Sequence, residues 1–489
     1  MKTRLLLVLL ILSYNVVKGQ KFQWTSSTDV AIWNQTSIKL QKKSATEPSL
    51  TVNKNDSIVT FKAWGGTFNE KGWDALNMLP QQEQEIILKK LFAPDGDLRY
   101  TLGRFSMNAN DYARDWYSCD EVPGDFQLKY FNIDRDKTSI IPFIKAAQKY
   151  NSELKFWISP WSPPSWMKIN QYYSVVSNKE FNKLDPKLDY LLFEDVVDKN
   201  QSVFPHQVTV NDYFIQEPRY LQTYADYFSK YISAYKAEGI DIGMVMFQNE
   251  SWSYTPYPGC AWTADGIIRF NAEYLAPTLK KDHPEVKVYL GTINTNRYDI
   301  IDKVLSDPRM PQTIQGVGFQ WEGGQILPKL REKYPDYKYV QTESECGWGS
   351  FDWGAGEHTF NLINHYLGNG CEEYTFWNSI LYDNGVSGWG WVQNSLIRVN
   401  SETKEVTYTP EYYAVKHYAK SIPAGSIIKS FKSGNVDKLP ILVAFTPDYK
   451  YVVMVGNFSD ELKKVSVKIE EKYLIIEVKA HSFNTFKAL

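Results

Sequence analysis

Two glutamates carry the chemistry this sequence suggests. Glu250 closes the run Phe247-Gln248-Asn249-Glu250, and Glu343 closes Gln341-Thr342-Glu343. Each is the polar end of a short, β-rich stretch. Carboxyl groups on two separate strand ends can face each other across a cleft. One can then protonate a departing oxygen while the other attacks carbon or activates water, which is what cleavage of a glycosidic bond requires. A spacing of about 5–5.5 Å between them gives retention and about 6.5–9.5 Å gives inversion, and sequence does not set that distance. Taken singly, either glutamate reads equally well as a surface ion-pair residue, and Glu345 is a near neighbour that could replace Glu343. The two together, on two strand ends among tryptophan-rich loops, carry the weight.

Eight β-rich runs position them: Ser57 to Trp64, Leu98 to Phe105, Leu154 to Ser159, Ile242 to Gln248, Val286 to Gly291, Ile314 to Gln320, Tyr337 to Thr342 and Glu372 to Trp377. Helical patterns lie between them. Pro80 to Phe92, Thr138 to Tyr150, Pro218 to Glu238, Thr263 to Lys281, Gly356 to Leu367 and Pro410 to Lys420 repeat apolar residues at three- and four-residue intervals. The helices after the fifth and sixth runs are weaker. Strands alternating with helices predict a (β/α)8 TIM barrel over residues 57–420, with Glu250 and Glu343 at the C-terminal ends of its fourth and seventh strands. Trp161 to Gln216 is a long insertion at that same face. Residues 421–489 contain strand runs without helices between them, as a small antiparallel β-sandwich would. Lys21 to Asn55 is polar, with short alternating stretches.

Composition narrows the function. A formal net charge of −2 gives no reason to expect nucleic acid as a partner. No phosphate loop, convincing dinucleotide turn or metal-ligand spacing occurs, so neither cofactor nor metal is expected. Residues 1–19 read as a signal peptide: Lys2 and Arg4 precede the apolar run Leu5 to Leu12, and a cut ahead of Gln20 is expected. The protein is then secreted or periplasmic, with no transmembrane anchor. Export permits disulfides among Cys119, Cys260, Cys346 and Cys371, and the sequence leaves their pairing open. Many tryptophans, such as Trp64, Trp161, Trp166, Trp252, Trp321, Trp377, Trp389 and Trp391, sit beside Pro, Gly, Asn or Ser and not inside apolar runs. Their faces suit the C–H bonds of sugar rings, although each serves equally well as a core anchor at a loop base.

The sequence resembles glycoside hydrolase family 30, which includes glucosylceramidases and β-1,6-glucanases. The similarity runs through Gly103 to Tyr112, Asp125 to Leu128, the most specific segment Ser159 to Lys168, Gln248-Asn249-Glu250, Thr342-Glu343, Trp377-Asn378 and Gly388 to Asn394. The resemblance implies a retaining double displacement at β-linked sugars, with Glu250 as general acid/base and Glu343 as nucleophile. It places Asp111, Trp161, Asn249, Trp377 and Asn394 around the sugar, with Trp161 and Trp377 as walls and Asn249 on the 2-hydroxyl. Arg104 would orient a glutamate and keep the nucleophile ionised. It also implies that residues 20–56 join 421–489 in the sandwich. Where the family's lysosomal enzyme has His-Trp-Tyr after the sixth strand, this chain reads Gln320-Trp321-Glu322, so the nucleophile's partner on that side must differ. Gln320 and Trp321 remain candidates for substrate contact.

The leading expectation is a β-glucosidic bond, in β-1,6-glucan or a glucosylceramide-like glucoside, so the partner is an oligo- or polysaccharide or another β-glycoside. Xylan, β-xylosides, β-fucosides and β-galactan are the alternatives within the same mechanism. A non-catalytic carbohydrate-binding protein on a hydrolase barrel is the alternative from another class. Endo or exo action and oligomeric state stay open.

Overall fold

The computed structural model describes residues 21–42, 44, 48–191, 211–433 and 439–489. The expected signal peptide and the middle of the long insertion lie outside the described residues. Eight parallel strands close into a barrel: Ala63–Phe68, Leu102–Met107, Lys155–Pro160, Ile242–Met246, Lys287–Ile293, Gly316–Gln320, Lys338–Glu343 and Glu373–Phe376. Nearly every residue in them is buried. A parallel strand covered by helices outside and side chains inside has no wet face, which is why these runs read as continuous and not alternating. Ala63, Leu102, Trp157, Met244, Met246, Tyr289 and Val340 pack together as one interior cluster.

The first run is displaced from its expected place. Residues 57–60 belong to the strand Leu50–Thr60, which pairs with Ile427–Ser433 outside the barrel. The first barrel strand begins only at Ala63 and includes Gly65-Gly66, residues that read as a strand end. They are tolerated because neighbours fill their side-chain space. A Cβ on Gly66 would sit 2.5 Å from Tyr100 Cε2, and one on Gly65 would sit 2.8 Å from the Leu102 carbonyl oxygen. The second strand is likewise shifted toward its C-terminal end. The weaker helices after the fifth and sixth strands are present as Tyr298–Ser306 and Gly323–Lys333. A further three-stranded sheet, Ile380–Tyr382, Ile397–Val399 and Val406–Tyr408, follows the eighth strand; its runs are too short to stand out in the sequence.

Both chain ends form one mostly antiparallel nine-stranded sheet. In spatial order it runs Lys472–Val478, Lys463–Ile469, Leu50–Thr60, Ile427–Ser433, Ile441–Phe445, Tyr451–Asn457, Ser482–Ala488, Lys21–Thr28 and Ala31–Lys39. One face holds its own core around Phe22, Val453, Val467, Ile476 and Phe486. The other face joins the barrel core through Ile428, Ala444, Met454 and Phe483. There Phe483 stacks on Trp353 at 4.6 Å between ring centroids, against the helix Trp353–Gly368.

His417, on the helix Pro410–Ala419, is fully buried in this joint. Its ring nitrogens meet Ser27 Oγ at 2.9 Å and Thr485 Oγ1 at 2.8 Å. Burial, reinforced by the charge of Lys416, lowers its pKa to about 3. The unfolded chain takes up a proton near pH 6.5. The joint's stabilisation is therefore complete above that pH and falls by about 1.4 kcal/mol per unit as pH drops toward 3. We expect His417→Gln to shrink the difference in urea-unfolding free energy between pH 7 and pH 4.5 by about 3 kcal/mol relative to the parent protein. An unchanged difference would remove His417 from the acid sensitivity.

Candidate active site

The barrel mouth is built from strand ends that turn sharply. Asn108, Glu250, Trp321 and Asn378 follow the second, fourth, sixth and eighth strands, and all four have left-handed backbones, with φ of 71°, 49°, 48° and 59°. The Asn249 N–H donates to the Pro160 carbonyl at 2.6 Å and the Glu250 N–H to Thr292 Oγ1 at 3.1 Å. These bonds tie the fourth strand end to the third and fifth. Glu343 needs no such turn, since it is the last residue of its strand.

Arg104 rises from the second strand into the middle of the site and is fully buried. Its Nη1 donates to Glu343 Oε2 at 2.8 Å and to the Thr342 carbonyl at 3.0 Å. Its Nη2 donates to Asn249 Oδ1 at 2.6 Å and to Ser159 Oγ at 3.1 Å. The guanidinium carbon lies 4.7 Å from the ring centroids of Trp157 and Trp161 and 5.2 Å from that of Trp377. Three indole faces thus stand in for lost hydration.

The two glutamates have different neighbours. Glu343 Oε1 accepts from Trp321 Nε1 at 3.1 Å, so the indole supplies the donor on the side where the family's tyrosine is missing. Glu250 Oε1 accepts from Gln320 Nε2 at 2.7 Å, and its Oε2 accepts from Ser253 Oγ at 2.6 Å. Ser253 Oγ in turn accepts from Asn294 Nδ2 at 2.8 Å. Burial raises both carboxyls above their usual range; at Glu343 the Arg104 charge opposes it and the Glu250 charge adds to it. The charge of one carboxyl thus disfavours ionisation of the other. Glu250 meets only neutral donors, whereas Glu343 lies against the guanidinium.

Asp111, Trp161, Asn249, Glu250, Trp321 and Glu343 line a single cavity of about 1340 Å³. Asp111 is 5 % exposed, its Oδ1 has no partner, and burial followed by the charges of Glu343 and Glu250 raises its carboxyl well above the usual range. Asn249 Oδ1 accepts from Arg104, Thr292 at 3.0 Å and Gln320 at 3.3 Å, which leaves the amide NH2 for other work. Gln320 sits beneath, joined to Thr342 Oγ1 at 2.9 Å, and couples the ends of the fourth and seventh strands.

Two of the expected sugar contacts are placed otherwise. Trp377 does not line the cavity; it is fully buried and stacks on Trp161 at 5.0 Å, backing the wall and not forming it. Asn394 is also fully buried behind the lining and donates to Glu411, while Gln393 beside it faces the cavity. The alternation of that loop decides which neighbour faces inward, and a motif match cannot read it. Glu345 lines the cavity but pairs with His358 at 2.8 Å and does not touch Arg104. Sequence reasoning passed over Ser253, Asn294, Tyr257 and Trp348. Only Ser253, one turn beyond Glu250, carried a positional signal. Among the described residues, no group of three or more His, Cys, Asp and Glu side chains could hold a metal ion. All four cysteines are buried free thiols.

Removing one partner from a buried ion pair leaves the other charge uncompensated. Arg104→Leu is therefore expected to cost about 3–5 kcal/mol of stability and to drive Glu343 toward its neutral form. Urea unfolding and the infrared carboxyl band would report the two effects, and a loss below about 1 kcal/mol would mean the pair is not desolvated as described.

The sequence model described as Glycosyl hydrolase family 30 TIM-barrel domain matches residues 61–179 and 214–422. The lysosomal acid glucosylceramidase of Mus musculus is 27 % identical over 444 residues, covering 84 % of this chain and 78 % of its own. The endo-1,6-β-D-glucanase BGN16.3 of Trichoderma harzianum is 22 % identical over 420 residues, covering 81 % of this chain and 76 % of its own. The solved structure of the endo-β1,6-glucanase BT3312 superposes with a TM-score of 0.76 at 21 % identity, covering 95 % of this chain and 99 % of that one. The matched barrel and the enzymes it is shared with make this chain a glycosidase, and it belongs to glycosyl hydrolase family 30.

Proposed function

We propose that the protein hydrolyses β-glucosidic bonds with retention of configuration, through a covalent glucosyl ester on Glu343. The observation that carries this reading is the contrast between the two carboxyls. Glu343 is held by a guanidinium and an indole N–H, whereas Glu250 is held by an amide and a hydroxyl. A charged nucleophile and a protonated acid are what the first step needs.

In that step a Glu343 oxygen attacks the anomeric carbon, the C–O bond to the leaving group breaks, and Glu250 gives its proton to the departing oxygen. Ester formation removes the charge on Glu343, so Glu250, no longer repelled, stays ionised. It then takes a proton from water as the water oxygen attacks the same carbon and frees Glu343. The free amide of Asn249 suits the sugar 2-hydroxyl, the unpartnered Asp111 oxygen suits another hydroxyl, and the Trp161 face suits the ring. The names of the relatives, a glucosylceramidase and endo-1,6-β-glucanases, point to glucose as the sugar. The basic and apolar N-terminal stretch supports export to the periplasm or beyond the cell. Among the described residues, no helix is long and apolar enough to cross a membrane.

Azide trapping tests the roles. With a dinitrophenyl β-glucoside, Glu250→Ala should form β-glucosyl azide, and Glu343→Ala should form the α-anomer. The reverse pattern would exchange the assignments. Glu250→Ala should also lose about 10²–10⁴-fold in kcat/KM on substrates with poor leaving groups. An α-anomer as the first product of the unaltered enzyme would exclude retention. Activity confined to xylan or β-fucosides would exclude glucose, and absence of any turnover would leave a carbohydrate-binding protein.

Ser253 gives a finer test. Its hydroxyl donates to the ionised form of Glu250 and so lowers that group's pKa. Ser253→Ala should move the basic limb of the kcat/KM profile up by about one pH unit, with Ser253→Thr restoring it. A downward shift would contradict the bond's direction.

A further inference from the structure

We infer that Trp348, Trp391 and Tyr257 form a second sugar-binding site on the leaving-group side of the cleft, which takes a pyranose of a glucan chain. The inference rests on the proposed glucosidase reading.

Trp348 is 62 % exposed, yet it lines the same cavity as Glu250 and Glu343. Packing does not account for so large an exposed ring. Its position is nonetheless fixed. Gly347 and Gly349 flank it with φ of 61° and 79°, and a Cβ on Gly349 would lie 2.4 Å from Val392 Cγ1. Just before them, Cys346 Sγ donates to the Trp377 carbonyl at 2.9 Å, and the Cys346 carbonyl accepts from the Asn394 N–H at 2.7 Å. A loop anchored at its base and turned by two left-handed glycines holds an apolar ring out in the cleft.

Two other loops complete the surface. Trp391, from the segment after the eighth strand, meets Trp348 at 5.0 Å with 67° between the planes. Tyr257, from the segment after Glu250, meets Trp391 at 6.2 Å and 60°. The rings make a corner that offers a face and an edge to one six-membered ring. Tyr257 fixes the side of the cleft. It follows Glu250 on the same segment and lines the cavity with it. The acid must stand next to the leaving oxygen, so the corner lies where the leaving group goes.

The rim decides the chemistry of the occupant. Asn178, Glu345 and Gln393 line the cavity with the rings. Amides and a carboxylate around aromatic faces match a sugar, which presents C–H bonds on its faces and hydroxyls at its edge. An alkyl chain would take water from those groups and offer no new hydrogen bond in return.

The test compares substrates that differ only in the leaving group: a β-1,6-linked gluco-oligosaccharide, octyl β-glucoside and β-glucosyl fluoride, whose leaving group is one atom. In Trp348→Ala, the ratio of kcat/KM for the oligosaccharide to that for the fluoride should fall about tenfold, the worth of one stacked ring. Trp348→Phe should recover most of it. An unchanged ratio, with both substrates affected equally or not at all, would overturn the site and leave Trp348 as a loop residue. A fall confined to octyl β-glucoside would overturn the sugar in favour of an alkyl chain. Failure of the unaltered protein to turn over β-glucosyl fluoride would overturn the glucosidase reading itself, and this site with it.

Discussion

A guanidinium without water is the constraint around which the barrel mouth is arranged. Burial alone disfavours the charge on Arg104, and the carboxylate of Glu343 is the main force that restores it. One cation touches the seventh strand, the third strand and Asn249 after the fourth, so the relative height of these strand ends is set by one planar fork. Trp157, Trp161 and Trp377 close over it and exclude the solvent that would weaken it. A lysine, with a single point of charge, could not span the same partners.

From this follows the difference in surroundings between two chemically identical side chains. Nothing intrinsic separates Glu250 from Glu343. What separates them is that the fork reaches one, while the other is met by Gln320 and Ser253. The same fork draws the Asn249 oxygen toward itself, which turns that amide's donor outward. A cation against Glu343 and an Asn249 donor left free are two outcomes of one buried contact.

Much of this was legible in the sequence, and the reasons for the exceptions are physical. The barrel could be read because eight buried parallel strands leave eight β-rich runs. Glu250 and Glu343 stood out because strand ends on this architecture face the mouth. The first strand was misplaced because Gly65-Gly66 resembles a break, and only Tyr100 and Leu102, distant in sequence, explain why it is not one. The single sheet from both chain ends had little local signal at its N-terminal end, where Lys21–Thr28 joins it through a strand more than four hundred residues away. Trp377 and Asn394 came from a motif that records position along the chain but not which side of a loop faces the cavity. Trp321 was named as a candidate for substrate contact between the departures Gln320 and Glu322, yet its bond to Glu343 depends on the turn of the backbone at that residue.

That turn is one of four. Glu250 and Trp321 occupy a backbone region that costs such residues about 1–2 kcal/mol, a cost that asparagine at Asn108 and Asn378 largely escapes. Glycine would relieve the cost at each, but at Glu250 it would remove a carboxyl that lines the cavity and at Trp321 the indole that holds Glu343. Stability and chemistry therefore pull in opposite directions at these alternate strand ends. Selection for a sturdier barrel alone would erode the mouth there first, and the residues persist only as long as turnover is itself under selection.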